Sequence, residues 1–173
     1  MSRWYPSGIY WGRCVIRIVK KLNQTDFSEF GDVIEHRGDQ RRSPLSIDFT
    51  KDRADIHRAF WVSKVVEATH LPAQIKFMER HPYSDQAFVP LRDTRFLVVT
   101  CPSNADGSPD LEGLRAYEAG PGQGVTYKRN VWHAPLSAFT APAEFFVTMG
   151  VTDRAANDEF YELPIPIALD REA

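Results

Sequence analysis

Breaks come too often in this chain for long helices. Twelve prolines and ten glycines punctuate it, at short intervals from Pro72 to Gly124. Proline removes a backbone donor, and glycine weakens the interior of any regular element. The runs between breaks are short and rich in β-branched or aromatic residues: Arg13–Val19, Ala59–Val66, Gln86–Val89, Arg95–Cys101, Leu114–Glu118, Val125–Lys128 and Glu144–Val151. Many short strands separated by turn signals indicate a sandwich or barrel. The fold class expected is mainly all-β, a barrel with a few short helices. Thr25 or Asp26 is a plausible N-cap for one helical turn carrying Phe27 and Phe30, ended by Gly31. Asp110 is a plausible cap for another.

A length of 173 residues fits one domain. We expect an aromatic arm over residues 1–12, with Trp4, Tyr5, Tyr10 and Trp11, and a single domain over 13–173. Residues 37–58 read as a long irregular stretch, and the apolar tail Phe160–Leu169 is expected to pack back or against a partner. A formal net charge of -2 gives no basic stripe for nucleic acid. No apolar run approaches the ~18 residues of a membrane helix, and the start lacks the pattern of a secretory signal. A cytoplasmic protein without membrane or nucleic-acid partners is the expectation. The two cysteines, Cys14 and Cys101, lie in apolar stretches and read as buried, reduced thiols.

The chemistry concentrates around two histidines. Side chains two apart share a face of a strand, so Ile75, Phe77, Glu79 and His81 form a face that starts apolar and ends polar. Asp85 and Gln86 follow in the next strand. Far downstream, a Gly-rich corner at Gly122 and Gly124 leads to Asn130 and His133. Either histidine alone is unremarkable, as is His57.

Together these segments resemble the two short motifs of cupin barrels. Glu79 stands where the first motif has its first His, and His81 keeps the second. Asp85 or Gln86 takes the acidic place. In the second motif Lys128 replaces Pro, Asn130 replaces Gly, and His133 keeps the final His. Asn at a Gly position is sensible, since Asn tolerates the left-handed backbone best after Gly. The resemblance implies a double-stranded β-helix, or jelly-roll, barrel. It also implies a metal set of Glu79, His81, Gln86 and His133 for a borderline divalent ion such as nickel or zinc.

Longer phrases are more specific. Phe27–Ile34, Met78-Glu79-Arg80-His81-Pro82, Gln86-Ala87-Phe88-Val89-Pro90 and Gly122–Leu136 resemble ureidoglycolate lyases, in order, over about residues 15–150. That resemblance implies a cytoplasmic homodimer of allantoin breakdown, cleaving (S)-ureidoglycolate to glyoxylate and urea, with no organic cofactor. The small-molecule substrate would meet catalytic Glu79, His81 and His133. Arg80 or Lys128 would hold its carboxylate, and Gln86 and Tyr127 its urea amide. One departure stands out. The Asn-Asn-Gly element of the family, with its Arg and His-Asp pair, is not matched in clean register by residues 47–57. A divergent cupin that acts on, or merely binds, a related ureido or carboxylate compound is the alternative.

Overall fold

Residues 16–47, 55–152 and 157–172 are described by the structure, a computed structural model. The expected arm over 1–12, Cys14 and most of the unmatched 47–57 segment lie outside them. Among the described residues there are twelve strands and one helical turn. The all-β expectation holds, and no helix is long and apolar enough to cross a membrane.

Two sheets carry the architecture. The first orders its strands as β10 (Ser137–Ala138), β6 (Phe96–Cys101), β7 (Arg115–Ala119), β1 (Ile16–Lys21), β12 (Glu159–Asp170), β4 (Ala73–Arg80) and β9 (Trp132–His133). Strand β9 pairs back onto β6, so the six strands from β6 round to β9 close into a barrel. The second sheet runs β2 (Val33–Ile34), β8 (Gly124–Tyr127), β5 (Gln86–Pro90), β11 (Ala143–Val151) and β3 (His57–Val65).

Alternation along each strand then makes two cores. Leu97, Val99, Cys101, Ala116, Met78, Trp132 and Leu169 cluster within the ring of six strands. Phe96, Val98 and Tyr117, the intervening residues, meet Val33, Phe88, Val125, Phe145 and Val147 of the second sheet. Phe27 packs there edge-on to Tyr117 at 5.9 Å and to Tyr127 at 6.1 Å. Burial at about 25 cal/mol per Å² of apolar surface makes this the main stabilising term. The apolar tail becomes β12, pairing with both β1 and β4. Burial and Asp110 push the Cys101 thiol up to about 12, which keeps it protonated, in line with its reading as a buried thiol.

The structure corrects several local expectations. The helix is Gln24–Phe27, and its cap is Asn23 rather than Thr25 or Asp26. Asn23 Oδ1 accepts from Asp26 N at 2.9 Å, and Asp26 Oδ2 accepts from Asn23 Nδ2 at 2.8 Å. This reciprocal pair satisfies a donor that a Thr25 cap would leave open. Asp110 accepts from Glu112 N and Gly113 N but starts a bend, not a helix. Strand β3 begins at His57, two residues before the expected start.

The reading of β4 also changes. Ile75 and Met78 are its buried apolar residues, and Phe77 is 46% exposed. The pairing of β4 with β12 shifts register between Glu162 and Ile167. That irregularity turns Ile75 and Met78 into the ring although they differ in parity. Phe77 and Glu79 keep a common face, on the outside of the ring, and there Glu79 meets the second sheet.

Candidate functional site

One end of the space between the sheets is polar. On the ring side, Glu79 and His133 are direct register partners across β4 and β9. On the facing sheet, Gln86 lies opposite Tyr127 on β8 and Met149 on β11. His81 follows the end of β4 and enters the same space, with its ring centroid 5.2 Å from that of His133. Phe88, Val125 and Val147 continue these rows into the apolar core. The polar end is thus the continuation of a packed interior, which fixes its side chains.

Asn130 aims His133. It adopts φ 70, alone among the non-glycine described residues in having positive φ. The left-handed residue lets the chain reverse after β8, with Asn130 N donating to His81 O at 3.0 Å. Trp132 then points into the ring core and His133 into the intersheet space. Tyr127 stacks on the His133 ring at 4.1 Å and 11°. Burial and the Glu79 carboxylate push the Tyr127 phenol well above its usual value, so it stays neutral.

The donor inventory defines what the cluster lacks. His81 Nδ1 lies 3.0 Å from the Asn157 carbonyl and 2.9 Å from Asp158 Oδ1. His133 Nδ1 lies 3.0 Å from the Val131 carbonyl. Carbonyls and carboxylates only accept, so both Nδ1 atoms carry a ring proton, and each ring in its neutral form turns an Nε2 lone pair inward. Those lone pairs face Gln86 Oε1 at 3.0 and 3.1 Å, and His133 Nε2 faces Glu79 Oε1 at 3.5 Å. Gln86 Nε2 points the other way, to Met149 Sδ at 3.4 Å. With both imidazoles neutral and Gln86 in this orientation, four lone-pair atoms converge on one space.

Such a set fits a divalent ion. One ligand atom each from Glu79, His81 and His133 all lie within 4.8 Å of one another. Ligands at ~2.0–2.1 Å from a tetrahedral ion lie roughly 3.3 Å apart, close to the distances from Gln86 Oε1 to both imidazoles and from Glu79 to His133. Burial and the neighbouring His133 lower the His81 pKa, against the raising pull of the Asn157 carbonyl, Glu79 and Asp158. The imidazole is therefore neutral and ready to ligate at neutral pH. Burial would raise the Glu79 pKa, but the hydrogen bond and charge that His133 presents once protonated, and the charge of a protonated His81, outweigh that and lower it. Its carboxylate is ionised at neutral pH.

Four residues named from the sequence, Glu79, His81, Gln86 and His133, are thus neighbours, with Tyr127 stacked behind them. Two are not. Arg80 lies on the opposite side of β4, over the Trp132 ring at 4.6 Å, donating to Glu159 Oε2 at 2.7 Å and Gly107 O at 2.8 Å. Lys128 Nζ donates to Ser28 O at 2.6 Å and Glu29 O at 3.3 Å, where it ties the residues after α1 to the end of β8. Neither charge faces the cluster. Asp85 accepts from Arg129 N at 2.7 Å and holds the turn, leaving Gln86 at the acidic place. His57 is exposed on β3, opposite Val151. Sequence reasoning missed Asn157 and Asp158, whose contacts with His81 form only where the chain before β12 meets the end of β4, and Met149, which meets Gln86 across the β11–β5 pairing.

Comparison with known proteins covers most of the chain. A family model described as ureidoglycolate lyase matches residues 15–169. The chain is 31% identical over 160 residues to a protein named ureidoglycolate lyase from Mesorhizobium japonicum, covering 85% of this chain and 96% of that one. It is 34% identical to one from Brucella anthropi over 84% and 86% of the two chains, and 36% identical to one from Brucella ovis over 83% and 86%.

Proposed function

The chain belongs to the ureidoglycolate lyase family, and on that premise we propose that it cleaves (S)-ureidoglycolate to glyoxylate and urea in allantoin and purine breakdown. The observation that carries the reading is the convergence of an ionised carboxylate and two inward lone pairs at one end of the intersheet space.

The substrate is a carbinolamine bearing a carboxylate. Cleavage removes the hydroxyl proton, forms the aldehyde carbonyl, breaks the C–N bond and protonates the departing nitrogen. Glu79 is the side chain in the cluster best placed to meet substrate, 16% exposed against 5% for His81 and 1% for His133. Its carboxylate takes the hydroxyl proton and returns it to the urea nitrogen, so one group serves as base and then as acid. Tyr127, held neutral, keeps the His133 ring in plane. Glu79, His81, Gln86 and His133 would hold a divalent cation such as nickel or zinc, which would supply Lewis-acid polarisation of the hydroxyl and positive charge near the substrate carboxylate. Arg80 and Lys128 are engaged elsewhere.

Glyoxylate release from (S)-ureidoglycolate by the purified chain, with and without added nickel or zinc, tests the reading. Stoichiometric glyoxylate and urea are expected. A ureidoglycolate-induced rise in Tm without release would favour the alternative, a binder of related ureido compounds.

We also take the enzyme to be a cytoplasmic homodimer. Strand β3 is a nine-residue edge strand. Phe60, Val62 and the neighbouring Phe146 are 58%, 57% and 37% exposed on it and on β11, with Phe60 stacked on Phe146. A long apolar edge is an aggregation hazard unless it is covered, and a second copy would cover it. Light scattering should give twice the chain mass, and Val62→Glu should give the monomer. A monomeric parent chain would refute this. The free Cys101 thiol suits a reducing compartment.

A further inference from the structure

Three consecutive residues, Asn157, Asp158 and Glu159, clasp the end of β4 and the turn after it. Glu159 Oε2 accepts from Arg80 Nε at 2.7 Å. Asp158 Oδ1 and the Asn157 carbonyl both face His81 Nδ1, at 2.9 and 3.0 Å. The Asn157 side chain is buried, at 5% exposure. Its Oδ1 accepts from Tyr83 N at 2.9 Å. Its Nδ2 donates to Ser84 Oγ at 3.1 Å and to Gly150 O at 2.6 Å. Ser84 Oγ in turn donates to Gly150 O at 3.2 Å and accepts from Gly150 N at 2.9 Å. Both amide protons of Asn157 are therefore used, and its carbonyl is fixed against the imidazole.

We propose that Asn157 and Asp158 are positioning residues for His81, which keep its proton on Nδ1 and its Nε2 lone pair turned into the cluster. The inference deepens the lyase reading and rests on it for turnover. Neither oxygen can donate, so moving the proton to Nε2 would set lone pairs against lone pairs at Nδ1 and would aim an N–H into the cluster. A carboxylate at Nδ1 also makes Nε2 a better electron donor, and partners of this kind typically change activity or metal affinity by about 10–100-fold. Asn157 supplies the fixed carbonyl and Asp158 the charge. The Asp158 side chain is 47% exposed, so its removal opens no core cavity.

The test is ring-nitrogen NMR of the full chain with 15N-labelled histidine, alongside steady-state kinetics. In the parent protein His81 should read protonated at Nδ1 and unprotonated or ligated at Nε2. Asp158→Ala leaves the Asn157 carbonyl on Nδ1, so the tautomer should hold, while the Nε2 nitrogen shift moves and kcat falls by about 10–100-fold, with KM little changed. Asp158→Asn, which restores an oxygen but not the charge, should not recover the full kcat. Parent-like ring-nitrogen shifts and kcat in Asp158→Ala would overturn the proposal. So would a parent protein whose His81 carries its proton on Nε2. If the parent chain does not turn over ureidoglycolate, the lyase reading fails, and the tautomer measurement still decides the clasp.

Discussion

Glu79→Gln should lower kcat for ureidoglycolate cleavage by about 10³-fold, within the 10²–10⁴ typical of a lost general acid–base. The substitution keeps the shape of the side chain and its place opposite His133 on β9, so the fold should melt as a single cooperative transition. It removes the only charge of the cluster's inward-facing set and the group that the proposed step uses as base and then as acid. Cation binding should weaken in parallel, which calorimetric titration with nickel or zinc would read without substrate. The parent enzyme should lose activity in acid once His81 takes a proton and can no longer ligate, while the lowered Glu79 pKa keeps that carboxylate ionised below its ordinary range. A Glu79→Gln enzyme within tenfold of the parent would remove Glu79 from the chemistry. Activity would then have to come from the imidazoles, and His133→Ala would become the decisive variant.

The second large effect belongs to a residue outside the cluster. Gly31→Ala should destabilise the fold by about 3 kcal/mol, the upper part of the overpacking range. At about 2–4 °C per kcal/mol for a chain of this size, Tm should fall by roughly 6–12 °C. A Cβ at position 31 would sit 1.8 Å from the Thr126 carbonyl oxygen and 2.7 Å from its carbon, and backbone cannot yield as a side-chain tip can. The collision falls where the helical turn is sewn to β8. Thr126 N donates to Asp32 O and Lys128 N to Phe30 O, each at 2.8 Å, and Asp32 N donates to Thr126 Oγ1 at 2.8 Å. Tyr127, between those rungs, carries the stack on His133, so activity should fall with stability. Gly120→Ala is the control, since its nearest neighbour would be a Gln123 side-chain oxygen at 3.5 Å. Equal melting temperatures for the two variants would show that the β2–β8 seam gives way at little cost.

Where sequence reasoning succeeded, the signal was local. Asn130 was readable because a left-handed turn demands Gly or Asn, and the alternation in Glu144–Val151 holds in β11 as far as Val147, with Phe145 and Val147 fully buried. Glu79, His81, Gln86 and His133 were grouped through resemblance, and the two hairpins that carry them do meet. Where it failed, the deciding contact was remote. The face of β4 depends on an irregular pairing with β12, more than eighty residues away. Arg80 and Lys128 looked free to serve a substrate because their acceptors, Gly107 O and Glu159 for one and the Ser28 and Glu29 carbonyls for the other, have no pattern in the sequence. The Asn157–Asp158 clasp is invisible for the same reason: a polar pair beyond a strand end reads as solvated until the chain returns to the imidazole.

Strand β9 is two residues long, and its neighbours in sequence serve opposite sides of the sheet. Trp132 plugs the barrel, beside Met78 and Leu169, while His133 faces the reacting end. No spare rung lies between them to absorb a tilt. A lesion at the indole would therefore present as a catalytic defect although no indole atom approaches the substrate, and drift at position 132 is constrained by chemistry performed through the next peptide bond.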